Sequence, residues 1–178
     1  MSRAFVKESD EQLSPDELPE RPLSALPNYV TPRGLEQLHA RRQELQHEHA
    51  QLAVEDDALA RQRKLEIERD LRYYNAQIER ATMVDPAGQP HDEARFGATV
   101  GIRDEDGVEY IFHIVGDDEA DLAAGSISWA SPLGTALIGA RVGDRVAWRR
   151  PAGATEIEVL AVRYPSQDAA ADGMPRRT

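Results

Sequence analysis

Three contiguous carboxylates, Glu55, Asp56 and Asp57, stand in the stretch QLAVEDDALARQRK, with an apolar periodic run before them and a basic one after. Clustered carboxylates do two kinds of work. Carried into contact with another molecule, they offer charge and the oxygen donors that hard cations take. Kept at home, they serve the backbone: Asp56 or Asp57 can cap a following helix, and acids in a first turn suit the helix dipole. Both readings stand on these residues, and the two are compatible.

Other groupings carry less chemistry. Asp117, Glu119 and Asp121 have the one-three-five spacing of a calcium loop. Leu122 stands where that loop needs glycine and Ser128 where it needs glutamate, so a solvated acidic loop is expected. His47 and His49 are not spaced as a helical metal pair. The chain has no cysteine, which removes disulfides and thiolate chemistry. Arg61, Arg63, Lys64, Arg69 and Arg72 form a basic run that reads first as a solvated helix face. Trp129 and Trp148 fall on expected strands and read as core or domain-interface residues.

The elements that must position the acids are helices. TPRGLEQL places Thr31 as a cap and Pro32 at the first helical position, where its missing N–H costs nothing. Leu35, Leu38, Arg42, Leu45, His49 and Leu52 then alternate by three and four. After the acids, Ala60, Lys64, Ile67, Leu71, Tyr74, Ile78 and Ala81 resume the rhythm. So narrow a seam needs a partner helix, and each run is the nearest partner of the other. The pattern predicts an antiparallel helical hairpin, a coiled coil over 32–54 and 58–82, turning near Glu55–Asp57. Arg42, His49 and Lys64 crowd toward the turn while Leu35, Leu38, Tyr74 and Ile78 gather at the other end. A projecting rod, firm at its base and loose at its tip, is expected.

Beyond residue 84 the period changes to that of strands. FGATVGIRDEDGVEYIFHIV reads as two strands around Asp106–Gly107. GSISWAS is a third, and DRVAWRR and TEIEVLAVRY are two more, joined through Pro151 and Gly153. SPLGTALIG is a short helix with Ser131 as N-cap, Pro132 at the first position and Gly139 past the end. The chain therefore reads as α+β, a helical hairpin followed by a small α+β domain. The domains are expected as a mobile acidic extension over 1–27, the hairpin over 28–84, the α+β domain over 85–165 and a disordered tail over 166–178. Residues 1–27 carry three basic and six acidic side chains, and residues 83–164 carry seven against fourteen. A net charge of −11 argues against a free nucleic-acid binder. Without an apolar stretch of about 18 residues or a signal core, a cytoplasmic protein with no membrane contact is expected.

Several blocks resemble one family. FGATV, DEDGVEYIFHIVGDDEAD and SISWASPLGTALIGARVGD resemble the C-terminal domain of the bacterial Gre transcription elongation factors, GreA and GreB. NYVTPRGLEQL resembles the start of their coiled coil and LRYYNAQIERATMVDP its end. The resemblance covers about residues 28–164. It implies an FKBP-like C-terminal domain that docks at the mouth of the RNA polymerase secondary channel, and a coiled coil that enters the channel. Ser131 and Pro132 match the loop that meets the polymerase, with Ala130 before them where GreB-like members carry a polar residue. Glu55, Asp56 and Asp57 would be the tip acids that help hold the polymerase's second Mg²⁺ for hydrolysis of a backtracked transcript. That chemistry needs a weakly held second ion and an activated water, and carboxylates supply both.

The resemblance further implies an accessory factor rather than an enzyme, with no cofactor of its own and no metal in the isolated protein. It would act as a monomer whose partner is RNA polymerase, meeting nascent RNA and DNA only inside the transcription complex. In that setting the basic run could contact RNA or acidic channel walls. The tip departs from the family, whose acidic pair is three residues apart in a GDLKENAEY-like context. The segment between TPRG and MVDP is also about 15 residues shorter, about seven in each arm, which at ~1.5 Å per residue removes ~10 Å of reach. A short-rod relative that binds the same site without stimulating cleavage is the alternative. A prolyl isomerase, suggested by fold alone, is set aside because Phe96 and Phe112 make too poor an aromatic pocket.

Overall fold

The computed structural model describes residues 18–54, 57–150 and 153–165. Helix α1 (Pro32–Leu52) starts as expected: Thr31 is the N-cap, its hydroxyl accepts from the Gly34 amide at 3.0 Å, and Pro32 occupies the first turn. Helix α2 (Ala58–Arg80) returns alongside it, and the two form the expected hairpin. Strand β1 (Asn28–Val30) precedes α1, and β2 (Ala81–Met83) follows α2. These two strands pair in parallel, Asn28 opposite Ala81 and Val30 opposite Met83, and close the base of the rod. The sequence reading missed both strands, since three-residue segments carry no periodicity to detect.

The seam between the helices is buried at Leu38, Leu45, Ala60 and Ile67. Leu35, Tyr74 and Ile78 are only half-buried, while Gln77, outside the expected seam, is buried. The expected softening toward the tip is offset by cross-arm pairs. Arg63 forks onto Glu48 at 2.6 and 2.9 Å and also reaches Glu66, and His49 meets Glu68 at 3.1 Å. Such exposed pairs contribute modestly, but a bidentate fork also fixes register between the arms.

The sheet has five strands in the order β5-β4-β3-β7-β6. They are β3 (Thr99–Asp104), β4 (Glu109–Val115), β5 (Ser126–Ser128), β6 (Arg145–Arg150) and β7 (Gly153–Arg163). All neighbours are antiparallel except β4 and β5, which run parallel through the crossover that holds the acidic turn. Helix α3 (Pro132–Leu137) lies on this sheet through Leu133 and Leu137. With them Val100, Ile102, Phe112, Ile114, Ile127, Ile157 and Val159 form one core, against which Trp129 and Trp148 pack, as the sequence suggested. The GSISWAS strand is shorter than expected, because after Ser128 the chain turns to reach the N-cap of α3.

The joint between rod and sheet lies where a solvated loop was expected. Residues 117–119 form a 3-10 turn after β4, and the carboxylates of Asp118 and Glu119 point at the rod. Glu119 accepts from the Thr31 amide at 2.9 Å, from the Thr31 hydroxyl and from the Gly116 amide at 3.3 Å. Asp118 accepts from the Tyr73 hydroxyl at 2.8 Å and from Gln77 Nε2 at 2.5 Å. Asp117 turns back and accepts from Ser128. Asn28 donates to the Gln77 carbonyl at 2.8 Å, and Tyr29 meets Trp129 edge-on at 5.1 Å. Two glycines permit the approach: a Cβ on Gly34 would lie 2.0 Å from Glu119 Cδ, and one on Gly116 would lie 2.5 Å from the Tyr29 carbonyl. The acids are acceptors for a docked partner within the chain, so the charge run is a joint.

Two outcomes follow from this joint. Burial, then the hydrogen bond to and charge of Asp118, push the Tyr73 phenol up to about 12 from its ordinary value of 10. The folded state therefore favours the protonated phenol. Its contribution is complete below pH ~10 and is lost as pH rises toward the folded value. Burial also raises the phenols of Tyr110 and Tyr164, so the check is the difference between proteins: the latest-titrating part of the tyrosinate absorbance should move down toward the ordinary value in Asp118→Ala. Gly34→Ala gains ~1 kcal/mol of helix propensity but displaces Glu119, whose hydrogen bonds are worth ~1–3 kcal/mol together. Denaturant unfolding should show net destabilisation in the native background and stabilisation when Glu119→Ala is already present.

Candidate functional site

The rod's tip is built by the two helix ends. Helix α1 stops after Leu52 with Ala53 as C-cap, and α2 starts at Ala58 with Asp57 as N-cap. Asp57 Oδ1 accepts from the Ala60 amide at 2.8 Å, satisfying one of the donors every helix start leaves open. The capping reading thus holds for Asp57, which is also exposed. Glu55 and Asp56 lie outside the described residues. Around the cap the tip is apolar as well as acidic, with Val54 90% and Leu59 83% exposed. Among the described residues no group of three or more His, Asp or Glu is placed to hold a metal ion.

The second candidate surface is the turn into α3. Ser131 caps the helix, its hydroxyl accepting from the Gly134 amide at 3.0 Å and donating to the Ser128 carbonyl at 2.7 Å. Pro132 is exposed on the first turn. Gly134 lets the helix sit hard against the preceding turn, since a Cβ there would lie 2.2 Å from the Ser128 carbonyl. Ser131 and Pro132 are therefore held rigidly at the surface, far along the chain from Asp57 and on the other body of the molecule.

The basic run on α2 is a paired surface where its contacts are described. Arg63 is matched by Glu48 and Glu66, and Arg69 by Asp70 at 2.9 Å. Arg72 is matched from an unforeseen quarter. Residues 18–27, part of the extension expected to be mobile, run along α2. Glu20 accepts from Arg72 at 2.6 Å, and Arg21 lies 3.7 Å over the Tyr73 ring with Asp70 at 3.8 Å. Arg80 donates to the carbonyls of Ser24 and Leu26 at 2.7 and 2.8 Å. The only sequence signal for this strap was charge order, an acid and an arginine among prolines opposite a basic helix.

A cavity of about 370 Å³ on the sheet domain is lined by Arg103, Asp104, Glu105, Arg145, Glu156 and Glu158. Arg103 pairs there with Glu158 and Arg145 with Glu156, while Asp104 and Glu105 accept from the backbone amides of Val108 and Glu156. No helix among the described residues is long and apolar enough to cross a membrane.

Comparison with known proteins agrees with this architecture. The family model described as transcription elongation factor GreA/GreB, C-terminal, matches residues 89–164. Transcription elongation factor GreB of Neisseria meningitidis serogroup B is 44% identical over 110 residues, covering 61% of this chain and 68% of the relative. Transcription elongation factor GreA of Rhodospirillum rubrum is 44% identical over 106 residues, covering 59% and 68%. The crystal structure of GreA factor homolog 1 of Thermus thermophilus is 26% identical and covers 78% of this chain and 99% of its own. Its TM-score to this chain is 0.36. A strap-bound helical rod on an α+β domain, with two relatives 44% identical across two thirds of their length, leaves one conclusion: this chain belongs to the GreA/GreB family of transcription elongation factors.

Proposed function

We propose that the protein binds RNA polymerase at its secondary channel in the cytoplasm and modulates elongation by occupying that channel with the rod. The turn into α3, with Ser131 and Pro132, is the contact at the rim, and the tip with Glu55, Asp56 and Asp57 faces the active centre. The protein is an accessory factor, and any hydrolysis of RNA belongs to the polymerase and its Mg²⁺. What carries the reading is the form of the rod: a helical hairpin with arms of 21 and 23 residues whose exposed tip carries an acid. At ~1.5 Å per residue it reaches ~31 Å from its base.

Stimulation of cleavage is weak or nil in this proposal. A Mg²⁺ ligand must approach to ~2.1 Å, and a rod ~10 Å short of its relatives does not meet that demand without deeper docking. Asp57 is also committed through Oδ1 to capping α2, which leaves only a one-oxygen contact through Oδ2 compatible with the cap. The exposure of Asp57 favours the second reading, a cleavage factor in which that oxygen and the neighbouring acids join the polymerase's second ion. That ion would supply the activated water for hydrolysis.

Asp57→Asn separates these readings, because asparagine caps a helix as well as aspartate but lacks its charge. The variant should keep native stability and native effects on elongation. Vigorous native cleavage of backtracked RNA, lost in Asp57→Asn, would instead establish the second reading. Adding one heptad to each arm, about 10 Å of reach, should produce cleavage where the native length gives little.

The rim contact is tested at Pro132. Replacement by glutamate places charge at a rigid exposed turn while α3 keeps its Ser131 cap. Affinity for core polymerase should fall at least tenfold, equivalent to about 1.4 kcal/mol. Unaltered affinity in a folded Pro132→Glu protein would remove this turn from the interface.

A further inference from the structure

The strap over 18–27 shows what its binding face accepts. Reading along α2, Arg72 takes a carboxylate, the Tyr73 ring with Asp70 takes a guanidinium, and Arg80 takes two backbone carbonyls. That is the recognition pattern for an extended peptide with an acid beside a base. The strap is also poorly anchored. Leu23 and Leu26 are 43% and 47% exposed and Leu18 is half-buried, so no leucine of this segment is fully buried in a core. The Arg72–Glu20 pair is more than half exposed on both sides, a class of contact that contributes little and is screened by salt. The attachment is polar, multiple and individually weak, which is the character of a releasable contact.

We propose that residues 18–27 are an autoinhibitory strap that occupies, from within the chain, a peptide-binding face on α2 built by Arg72, Tyr73 and Arg80. Release of the strap presents this face to an acidic extended segment of the partner protein, which takes the place of Glu20 on Arg72 and of the Ser24 and Leu26 carbonyls on Arg80. The partner class is protein. The strap already demonstrates carboxylate and peptide-carbonyl recognition, and a chain of net charge −11 repels a free polyanion. The inference rests on the reading that the protein docks on RNA polymerase, which supplies that segment. The strap joins the rod directly at β1, so it covers the flank near the base and leaves the tip clear.

The test compares the full chain with a strap-loosened form, Glu20→Ala with Arg21→Ala, and with that form also carrying Arg72→Gln and Arg80→Gln. Three ligands are titrated: core RNA polymerase, a labelled peptide LPERPLSALP at millimolar concentration followed by amide shifts on α2, and oligouridylate RNA. Circular dichroism and melting establish that each form is folded, and Arg80→Gln alone serves if the quadruple variant is not. The loosened form should bind polymerase about three- to tenfold tighter, the range that one or two exposed ion pairs convert to. It should bind the peptide where the native chain does not, and both gains should vanish in the face variants. If native protein binds polymerase and the loosened form binds no tighter, the proposal is overturned. If no form binds polymerase, the docking reading fails, and peptide capture by the loosened form alone still upholds a self-occupied face. Absence of peptide capture there overturns it, and a gain for RNA in place of peptide overturns the partner class.

Discussion

A few carboxylate hydrogen bonds at the acidic turn decide the shape of this molecule. Glu119 reaches the backbone and side chain of Thr31, the residue that also caps α1, so one threonine both starts the rod and ties it to the sheet. Asp118 binds α2 through Tyr73 and Gln77. Each helix is thus held at its base by a different acid from a single rigid turn, and these charge-assisted bonds are stronger than neutral ones. The aromatic contact described between the rod's base and the sheet domain is Tyr29 against Trp129 and Phe96. The rod's attitude is set by polar geometry and the close approaches at Gly34 and Gly116.

The sequence revealed the regular parts well. Helix limits, the caps at Thr31 and Ser131, the β-hairpin at Asp106–Gly107 and the strands after it were all visible, because periodicity and turn chemistry are local. The joint was not. Nothing in the spacing of Asp117, Asp118 and Glu119 tells a solvated turn from one whose acceptors face donors 41 to 88 residues away. Gln77 fell outside the expected seam, yet it is buried as part of the same network. The acids at the tip were legible as acids, and the role of Asp57 as a cap was one of two readings the residues allowed. Their role toward a partner is a property of another molecule and is not written in local pattern.

Charge in this chain is arranged by neighbourhood more than by total. The net excess of acid coexists with an α2 on which Arg63, Arg69 and Arg72 meet acids from α1, from their own turn and from the strap. The fold places acid at the joint, where it is consumed by hydrogen bonds, and acid at the tip.

The parallel pairing of β1 with β2 has a consequence for how such a rod can change over time. Because the chain enters and leaves the rod on adjacent strands in fixed register, both arms must consume the same axial distance. A deletion in one arm alone would pull Asn28 out of line with Ala81, or force a bulge at the turn. Paired deletions of whole heptads leave the seam in phase and the base untouched. Rod length is therefore an almost free variable of this architecture, adjustable in matched steps from the turn inward, while everything below Thr31 and Arg80 remains under the strict geometry of the joint.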